Sequence, residues 1–413
     1  MIAASLYYDF MRELRDVRIL MIAPEPFFEP RGTPFSEYHR IRALLDLGHE
    51  VDLVTYPFGE DVRMPGLRIV RAPRPPFVRS VRIGPSLAKV PLDALLAVTA
   101  CRMAMSTRYD AVHSHEEGGA IGVVLAGLLR VPHLYDMHSS LPQQLSNFAF
   151  SRSPFVRGPF AWLERLMIRR SRVVIVICPA LEETVRAIDP GAAPVLIENA
   201  PGSAEDAATP EAARAVRAGA GLDATTPLVL YTGTFEAYQG LDLLFDAMAL
   251  VVASRPEARL ILAGGKPAQV ARAREQAIAA GLDGRAIFAG ERPAPEIPAY
   301  LRAADALVSP RSRGTNTPLK IYQYLRSGRP IVATRLLTHT QVLDDETAIL
   351  TGTTPREFAD GILAALGDTA RARRVGENAR TLAETKYSYE AYLDRTRRAY
   401  AAMGAPSAVK DVA

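Results

Sequence analysis

Three histidines lie at or just after the ends of two apolar runs of the sequence. His113 and His115 belong to DAVHSHEE, and His138 follows LYDM. Imidazole can move a proton near neutral pH, bind a metal, or form a plain hydrogen bond inside a core. Glu116 and Asp136 are close in sequence, but no spacing fixes a tetrahedral ligand set, so no metal is expected. We take His138 as the catalytic candidate, with a structural hydrogen-bonding role as the alternative.

A second group of candidates surrounds the predicted start of a short helix, in SPRSRGTNTPLKIYQYLRSG at 309–328. Thr317 is predicted to cap this helix, Pro318 to be its first residue and Gly328 to end it. Backbone N–H groups at a helix start favour an anion such as a diphosphate, and nearby cations strengthen that preference. A basic surface turn is the alternative. The candidate anion-binding residues are Arg311, Arg313, Asn316, Thr317, Pro318, Leu319 and Lys320.

Two strand-to-helix turns are further candidates. In EPFFEPRGTP at 25–34, Gly32 permits close backbone approach, and Thr33 is predicted to cap a helix whose first residue is Pro34. In LYTGTFEAYQG at 230–240, Gly233 ends a strand and Gln239 precedes a helix. Ordinary turns are the alternative reading of both. The chain lacks GxGxxG, the Walker spacing and an Asp-x-Asp pair.

The elements that must hold these residues alternate between apolar runs and amphipathic stretches, which is typical of parallel sheets covered by helices. Residues 200–226 interrupt this alternation. We therefore predict two doubly wound, Rossmann-like α/β domains, at 1–200 and 205–386, with a ligand cleft between them. The predicted strands are 18–23, 51–55, 67–71, 110–114, 131–137, 173–178, 194–198, 228–233, 258–264, 285–290, 306–310 and 330–334.

Composition narrows the class of protein. The 413 residues are 48% hydrophobic and 23% charged, and the net charge of +4 does not indicate a nucleic-acid partner. Cys101 and Cys178 form no disulfide or zinc pattern. No run of 18 apolar residues is evident, and the N-terminus lacks a basic signal region, so we expect a cytoplasmic chain without a membrane-spanning helix.

Two segments combine cations with apolar side chains. Residues 62–92 contain seven Lys or Arg and no acid, with Phe77 and Leu87 among them, and residues 146–172 contain six Arg, one Glu and the single Trp162. This combination suits an anionic membrane surface. RNA and a solvated basic face are the alternatives.

Taken in order, five segments resemble the retaining family 4 glycosyltransferases of the GT-B fold. They are PRGTPFSEYHRIRALLDLGHEVDLVT, DAVHSHE, IENAPG, YTGTFEAYQGLDLLFDAMA and TPLKIYQYLRSGRPIVAT. The resemblance implies a bacterial-type enzyme without cofactor or metal, in which the first domain binds the acceptor and the second a nucleotide-sugar. It also implies that His138 contacts the donor sugar, that Arg31, Gly32, Thr33 and His115 line the acceptor side, and that helix 388–404 packs back onto the first domain.

Four positions depart from that family pattern. Thr234 and Gln239 replace an Arg and a Lys that bind the diphosphate, and Thr315 and Gln323 replace two glutamates. Gln323 can still form a hydrogen bond with a ribose hydroxyl, but Thr234 and Gln239 cannot neutralise a phosphate. Together with Gly233 they remain donor-site candidates, and Arg311, Arg313 and Lys320 would supply the missing charge.

The resulting expectation is transfer of a sugar from a nucleotide-diphosphate sugar, with UDP favoured, to a lipid or lipid-linked acceptor at the inner face of the cell membrane. Such a reaction belongs to glycolipid or polysaccharide biosynthesis. The alternatives are a non-catalytic glycosyltransferase-like subunit and a UDP-sugar epimerase.

Overall fold

The computed structural model describes residues 17–29, 32–81, 86–147, 154–198 and 208–404. Two compact units emerge from it. The first consists of Met1–Asn199 together with Tyr392–Ala413, and the second of Ala200–Ala391. Each unit is an α/β layer structure around its own parallel sheet, so the prediction of two doubly wound α/β domains is confirmed.

The first unit contains a seven-stranded sheet in the order β3-β2-β1-β4-β5-β6-β7, with all pairs parallel. Its elements are β1 (Arg18–Ala23), α1 (Gly32–Asp46), β2 (Glu50–Thr55), β3 (Leu67–Arg71), α2 (Lys89–Ser106), β4 (Ala111–His115), α3 (Gly119–Leu129), β5 (His133–Met137), α4 (Leu141–Asn147), α5 (Pro154–Arg170), β6 (Val173–Val176), α6 (Pro179–Ile188) and β7 (Val195–Leu196).

The second unit contains a six-stranded parallel sheet in the order β10-β9-β8-β11-β12-β13. Its elements are α7 (Pro210–Gly219), β8 (Leu228–Thr232), α8 (Leu241–Ser254), β9 (Arg259–Ala263), α9 (Pro267–Ala279), β10 (Ala286–Gly290), α10 (Ile297–Ala303), β11 (Ala306–Ser309), α11 (Leu319–Ser327), β12 (Ile331–Thr334), α12 (Leu337–Thr340), β13 (Ile349–Thr351), α13 (Pro355–Gly367) and α14 (Thr369–Thr385), followed by α15 (Tyr389–Gly404), which enters the first unit at Tyr392.

The strands lie where the apolar runs predicted them, because helices cover both faces of each sheet and most strand residues are then apolar; His113, His115 and Asp136 are exceptions. All five residues of β8 are buried, as are all five of β4 and β5. The short edge strand β13 was not predicted. Its three residues ILT are too few to give a periodic signal, and pairing with β12 forms the strand.

Two predicted helix starts were wrong by one or two residues. Helix α1 begins at Gly32, whose φ of 58° is left-handed, so Thr33 lies within the helix rather than at its cap. Helix α11 begins at Leu319 with Pro318 as its N-cap, and no side chain caps it. Gly328 ends α11 in the left-handed conformation as predicted, because a residue without Cβ adopts φ of 66° without strain.

One stretch of the described residues, Ala237–Ser254, is long and apolar enough to cross a membrane, with a mean hydropathy of 1.2. The stretch is not an uninterrupted apolar run, because it contains Gln239, Asp242 and Asp246, so it does not contradict the observation that the sequence has no run of 18 apolar residues. Half of it is buried, and α8 packs against α13 and the sheet through residues such as Leu244, Phe245 and Met248. This packing is that of a core helix.

Candidate active site

A cluster of histidines lies at the carboxyl end of two neighbouring strands in the first unit. Strand β4 ends at His115, β5 pairs with it in parallel, and His138 follows β5 directly. His115 Nδ1 lies 3.2 Å from His138 Nε2, and the His113 ring stacks on that of His115 with 4.7 Å between centroids. The structure therefore brings His115 and His138 together, as the order of the strands required.

Asp136 organises this cluster from β5. Its carboxylate accepts a hydrogen bond from Arg40 Nε at 2.9 Å and lies 3.4 Å from His138 Nε2 and 3.5 Å from His113 Nε2. Burial alone would raise the pKa of Asp136, but the Arg40 guanidinium and then His138 hold it well below its usual range. Asp136 is therefore ionised, and its charge is balanced by a cation that is itself buried.

The C-terminal helix α15 holds the other side of this network. Arg40 Nη1 donates to Thr396 Oγ1 at 3.2 Å, and the guanidinium lies 5.0 Å from the Tyr392 ring centroid. His113 Nδ1 forms a 2.7 Å hydrogen bond with the Tyr400 hydroxyl. A chain of contacts thus runs from α15 through Arg40 and Asp136 to His138.

The imidazoles of the cluster are neutral. Burial lowers the pKa of His113, His115 and His138, and in each case this outweighs the pull of Asp136. Neutral imidazole can donate one hydrogen bond and accept another. His138 is thus suited to orient a hydroxyl group, and the site offers no strongly basic histidine.

His113, His115 and Asp136 also offer ligand atoms that lie within 4.8 Å of one another, which is the geometry of a metal-binding group. The donor types fit zinc or a similar ion. However, Arg40 already supplies a positive charge to the same carboxylate at 2.9 Å, and this charge opposes a second cation there.

Buried carboxyl groups lie beside this edge of the sheet. Glu37 on α1 is fully buried, and its pKa is raised to about 8, chiefly by burial, with Asp136 contributing. Burial and then Glu37 raise the pKa of Glu25, after β1, well above its ordinary value. Glu116 has a left-handed φ of 47° and accepts hydrogen bonds from Ser139 and Gln144. At neutral pH protons are retained within this group of acids.

The predicted acceptor loop lies next to these acids. Gly32 is exposed with open space around its Cα, and Thr33 is partly buried in the first turn of α1. Arg31 lies outside the described residues. The loop therefore leads directly into the helix that carries Glu37 and Arg40.

The second unit contains a buried cation at the start of α11. Lys320 is 8% exposed, its Nζ lies 3.9 Å from the Tyr231 ring centroid, and no hydrogen-bond acceptor among the described residues contacts it. Burial, and then the charge of Arg311, lower the pKa of Lys320 well below its usual value. A buried ammonium without an acceptor is costly, so the structure favours either its neutral form or an anion beside it.

Gly233 provides room beside that lysine. It ends β8 with φ of 133°, and a Cβ there would lie 3.7 Å from Lys320 Nζ. Gln239 Nε2 lies 3.4 Å from Thr234 Oγ1, while Gln239 Oε1 is buried without a donor among the described residues. The turn after β8 and the start of α11 thus lie side by side, as the two sequence motifs required.

Arg311 is largely committed to the loop before α11. Its Nη1 donates to the Asn316 carbonyl and to Thr338 Oγ1, each at 2.7 Å, and its guanidinium lies over the Tyr238 ring at 5.1 Å. The Thr315 carbonyl accepts from Gln341 at 2.6 Å. These bonds fix the conformation of the loop, so Arg311 has a structural role in addition to its positive charge.

The other predicted donor-site residues differ in exposure. Arg313 is exposed and Thr317 is buried, with its hydroxyl lacking a partner among the described residues. Leu319 and Lys320 form the first two residues of α11, and Gln323 is half-buried one turn further along. The N–H groups of the first turn are therefore presented beside Thr317 and Lys320.

Several residues of these sites carried no sequence signal. Arg40 and Thr396 are 356 positions apart, and although each lies in a segment that the sequence singled out, neither was itself a candidate residue. His339 is fully buried, with its pKa lowered to about 3, chiefly by burial, and it forms hydrogen bonds with Ser309 and the Thr334 carbonyl. Such residues can be identified only from the folded structure, where their contacts with the site are visible.

Comparison with known proteins gives the class to which this architecture belongs. Residues 226–368 match the model of the glycosyl transferases group 1, and residues 38–200 match that of the glycosyl transferase 4-like domain. The two models cover most of both units. The chain therefore belongs to the GT-B glycosyltransferases of the group 1 type, and the resemblance inferred from its sequence is confirmed.

Individual relatives share roughly a quarter of their residues with this chain. An alpha-D-kanosaminyltransferase of Streptomyces kanamyceticus is 29% identical over 71% of this chain and 77% of its own length. A D-inositol 3-phosphate glycosyltransferase of Corynebacterium glutamicum is 26% identical over 80% and 82%. The structure of Anabaena Alr3699/HepE in complex with UDP-glucose superposes with a TM-score of 0.72 and 17% identity, covering 93% of this chain and 99% of that one.

Proposed function

We propose that this glycosyltransferase transfers a sugar, with retention, from a UDP-sugar to a lipid or lipid-linked acceptor, without a metal or cofactor. The observation that carries the proposal is Lys320. A buried ammonium beside a helix start and a glycine turn would suit the diphosphate of the donor. A structure of similar fold that holds UDP-glucose supports the choice of base and donor.

The second unit would act mainly by electrostatics. As the bond to the sugar breaks, negative charge develops on the leaving diphosphate. Lys320 and the N–H groups of the first turn of α11 would stabilise that charge in a place from which water is largely excluded. Since Thr234 and Gln239 carry no charge, Lys320 does in this chain what the family's usual cations do elsewhere. No step needs a metal, because a protein cation already faces the phosphates.

The first unit would bind the acceptor. Neutral His138 would orient a sugar hydroxyl, held in place by Asp136 and His115. The buried acids Glu25, Glu37 and Glu116 offer acceptor oxygens for the hydroxyls of a carbohydrate. The lipid part of the proposal rests on exposed apolar side chains, including Phe77, beside cations. We place the chain on the inner face of the cell membrane for this reason.

Calorimetry with UDP tests the donor site. We expect Lys320→Ala to weaken UDP binding by roughly tenfold or more, because a charge-assisted hydrogen bond in a desolvated site is worth about 1.5–3 kcal/mol. Lys386→Ala is the matched control, since Lys386 is an exposed lysine at the end of α14 in the same unit. Its affinity should not change. Equal affinities for all three proteins would refute the diphosphate site.

A second calorimetric measurement tests whether Lys320 contributes to binding through its charge rather than through its shape. The pKa of Lys320 is lowered in the empty protein, so a bound diphosphate should raise it again and draw in a proton. We expect the binding heat of the native chain to depend on the ionisation heat of the buffer at mildly alkaline pH. That dependence should decrease in Lys320→Ala. An unchanged dependence would assign the proton to another group.

The two competing functions give different products. A non-catalytic subunit would bind UDP but would not consume a UDP-sugar with any acceptor, and the four uncharged positions favour this alternative. An epimerase would change the sugar without an acceptor. A UDP-sugar incubated with and without a lipid-linked acceptor, analysed for both products and anomeric configuration, distinguishes these outcomes from retaining transfer.

A further inference from the structure

Helices α2 and α3 of the first unit contact each other and share an apolar outer face. On α2 the exposed residues Val90, Ala94, Val98 and Met105 recur every three or four positions with one interruption, and Leu87 precedes them. The opposite side of α2, with Leu92, Leu96, Ala100 and Met103, is buried in the core. Helix α2 therefore has two apolar sides, of which only one packs into the core.

Helix α3 has no polar side chain at all. Its sequence, GAIGVVLAGLL, buries Leu125 and Ala126 and leaves Val124 and Leu128 exposed. A helix that is apolar all round is normally covered on every side. Met105 is 80% exposed and Leu128 is 73% exposed, so nothing in the described part of the chain covers them.

The exposed apolar residues are concentrated here. The large apolar side chains exposed on these two helices and just before α2 are Leu87, Val90, Val98, Met105, Val124 and Leu128, whereas the described part of the second unit exposes only Leu250, Ile278 and Leu337. We call the first set, with Ala94, the α2–α3 face. Scattered apolar residues are normal on a protein surface, but a contiguous patch indicates an interaction site.

Exposed cations outnumber exposed acids between residues 86 and 130, where Asp110 is the one exposed acid. Every acid between residues 86 and 130 is engaged within the unit. Asp93 accepts from the Tyr56 hydroxyl, Asp110 from the Arg18 backbone, Glu116 from Ser139, and Glu117 pairs with Lys89. In contrast, Arg102, Arg108 and Arg130 are exposed at the ends and side of the two helices. No acid among the described residues forms an ion pair with any of these three.

We propose that the α2–α3 face docks on an anionic lipid bilayer. The apolar residues would enter the acyl boundary, and the three arginines would lie at the phosphate level. A second copy of the chain is the competing occupant, and light scattering distinguishes it from a bilayer. The proposal rests on the lipid acceptor of the proposed function and names the surface that would reach it.

The segment 62–92 that was predicted from sequence to bind a membrane overlaps the α2–α3 face at Leu87 and Val90, but not all of its cations are available. Arg71 donates to the carbonyls of Phe27, Phe58 and Glu60, and Lys89 pairs with Glu117, so two of the seven cations of 62–92 serve the interior. In 146–172, Trp162 is exposed on α5. It therefore provides an alternative contact that the experiment must separate.

Flotation with vesicles tests the α2–α3 face. We expect the native chain to float with vesicles of phosphatidylglycerol and phosphatidylcholine at low salt, and to bind at least tenfold less to pure phosphatidylcholine. The double variant Val98→Glu, Leu128→Glu should lower binding by a further tenfold or more. Ile278→Glu, the same change on exposed helix α9 of the second unit, is the control and should float like the native chain.

Each contrary result overturns the proposal. Native protein that does not float at low salt excludes a lipid surface. Flotation lost in Trp162→Glu but kept in the double variant assigns the contact to α5. A native dimer in light scattering that the double variant dissociates assigns the face to self-association. Circular dichroism and a thermal melt of the double variant verify its fold. UDP calorimetry on the same variant keeps this test separate from that of the donor site, because neither substituted residue lies in it.

Discussion

The two units share an architecture but treat buried charge in opposite ways. In the first, the buried ions Arg40 and Asp136 form a direct pair that α15 supports through Thr396. In the second, Lys320 is buried without an acceptor and faces an aromatic ring. The buried charges of the first unit balance each other without a ligand. The buried lysine of the second unit lacks such a partner among the described residues, which is the arrangement expected where an anionic ligand binds. The comparison therefore assigns a structural role to Arg40 and a binding role to Lys320.

Removing Arg40 gives the largest expected effect. Arg40→Met leaves Asp136 buried and unpaired, and breaking such a pair costs about 3–5 kcal/mol of the free energy of unfolding. Arg42→Met is the matched control, because Arg42 is a half-exposed residue on the same helix whose ion pair with Asp46 spans 3.9 Å. Arg42→Met should lower the free energy of unfolding by less than about 1 kcal/mol.

Urea denaturation of both variants measures this difference. Lys320→Met sharpens the comparison, because replacing a buried ion that lacks an acceptor should leave stability unchanged or raise it. If Lys320→Met were as destabilised as Arg40→Met, Lys320 would have a partner within the fold, and the contrast between the units would not hold.

His138 lies at the end of the compensated network, where it would act on the substrate. We expect His138→Ala to lower kcat by about a hundredfold, a loss of roughly 2.7 kcal/mol of transition-state stabilisation, and to shift Tm by only a few degrees. The reason is position: His138 follows the strand, whereas its partners Asp136 and His115 lie within strands.

His133→Ala is the control for a structural histidine. His133 forms hydrogen bonds with Ser114 and Ser171, and burial lowers its pKa to about 3. We expect this variant to lose stability and to keep the kcat of whatever protein remains folded. Steady-state kinetics and thermal melts of both variants test the assignment, which a poorly folded His138→Ala with normal residual kcat would contradict.

The sequence predicted those features that depend on neighbours along the chain. Most buried strands are largely apolar runs, so all but β13 were found, including the two-residue β7. His138 and Lys320 were found because each follows a strand end or starts a helix, which is a local pattern. The contacts of these residues were not predicted, although Asp136 was named beside the histidines. Arg40, Asp136 and Thr396 meet only after folding, and a sequence motif cannot report that Lys320 lacks an acceptor, because this is a property of everything packed around it.

The last expected effect concerns protons in the first unit and appears only as a change of stability with pH. Because burial raises the pKa of Glu37 from 4.5 to about 8, the folded chain retains a proton that the unfolded chain releases. Stability from this group is therefore complete below about pH 4.5 and is lost as pH rises towards 8, and a pKa difference of one between the folded and unfolded chain corresponds to about 1.4 kcal/mol. Glu37→Gln keeps the shape and removes the titration, so its Tm should fall less than that of the native chain between these pH values.

Glu183→Gln, a change at an exposed glutamate of α6, should follow the native curve. Parallel curves for Glu37→Gln and the native chain would mean that Glu37 is ionised in the folded state, and the first unit would then hold an uncompensated charge as the second does.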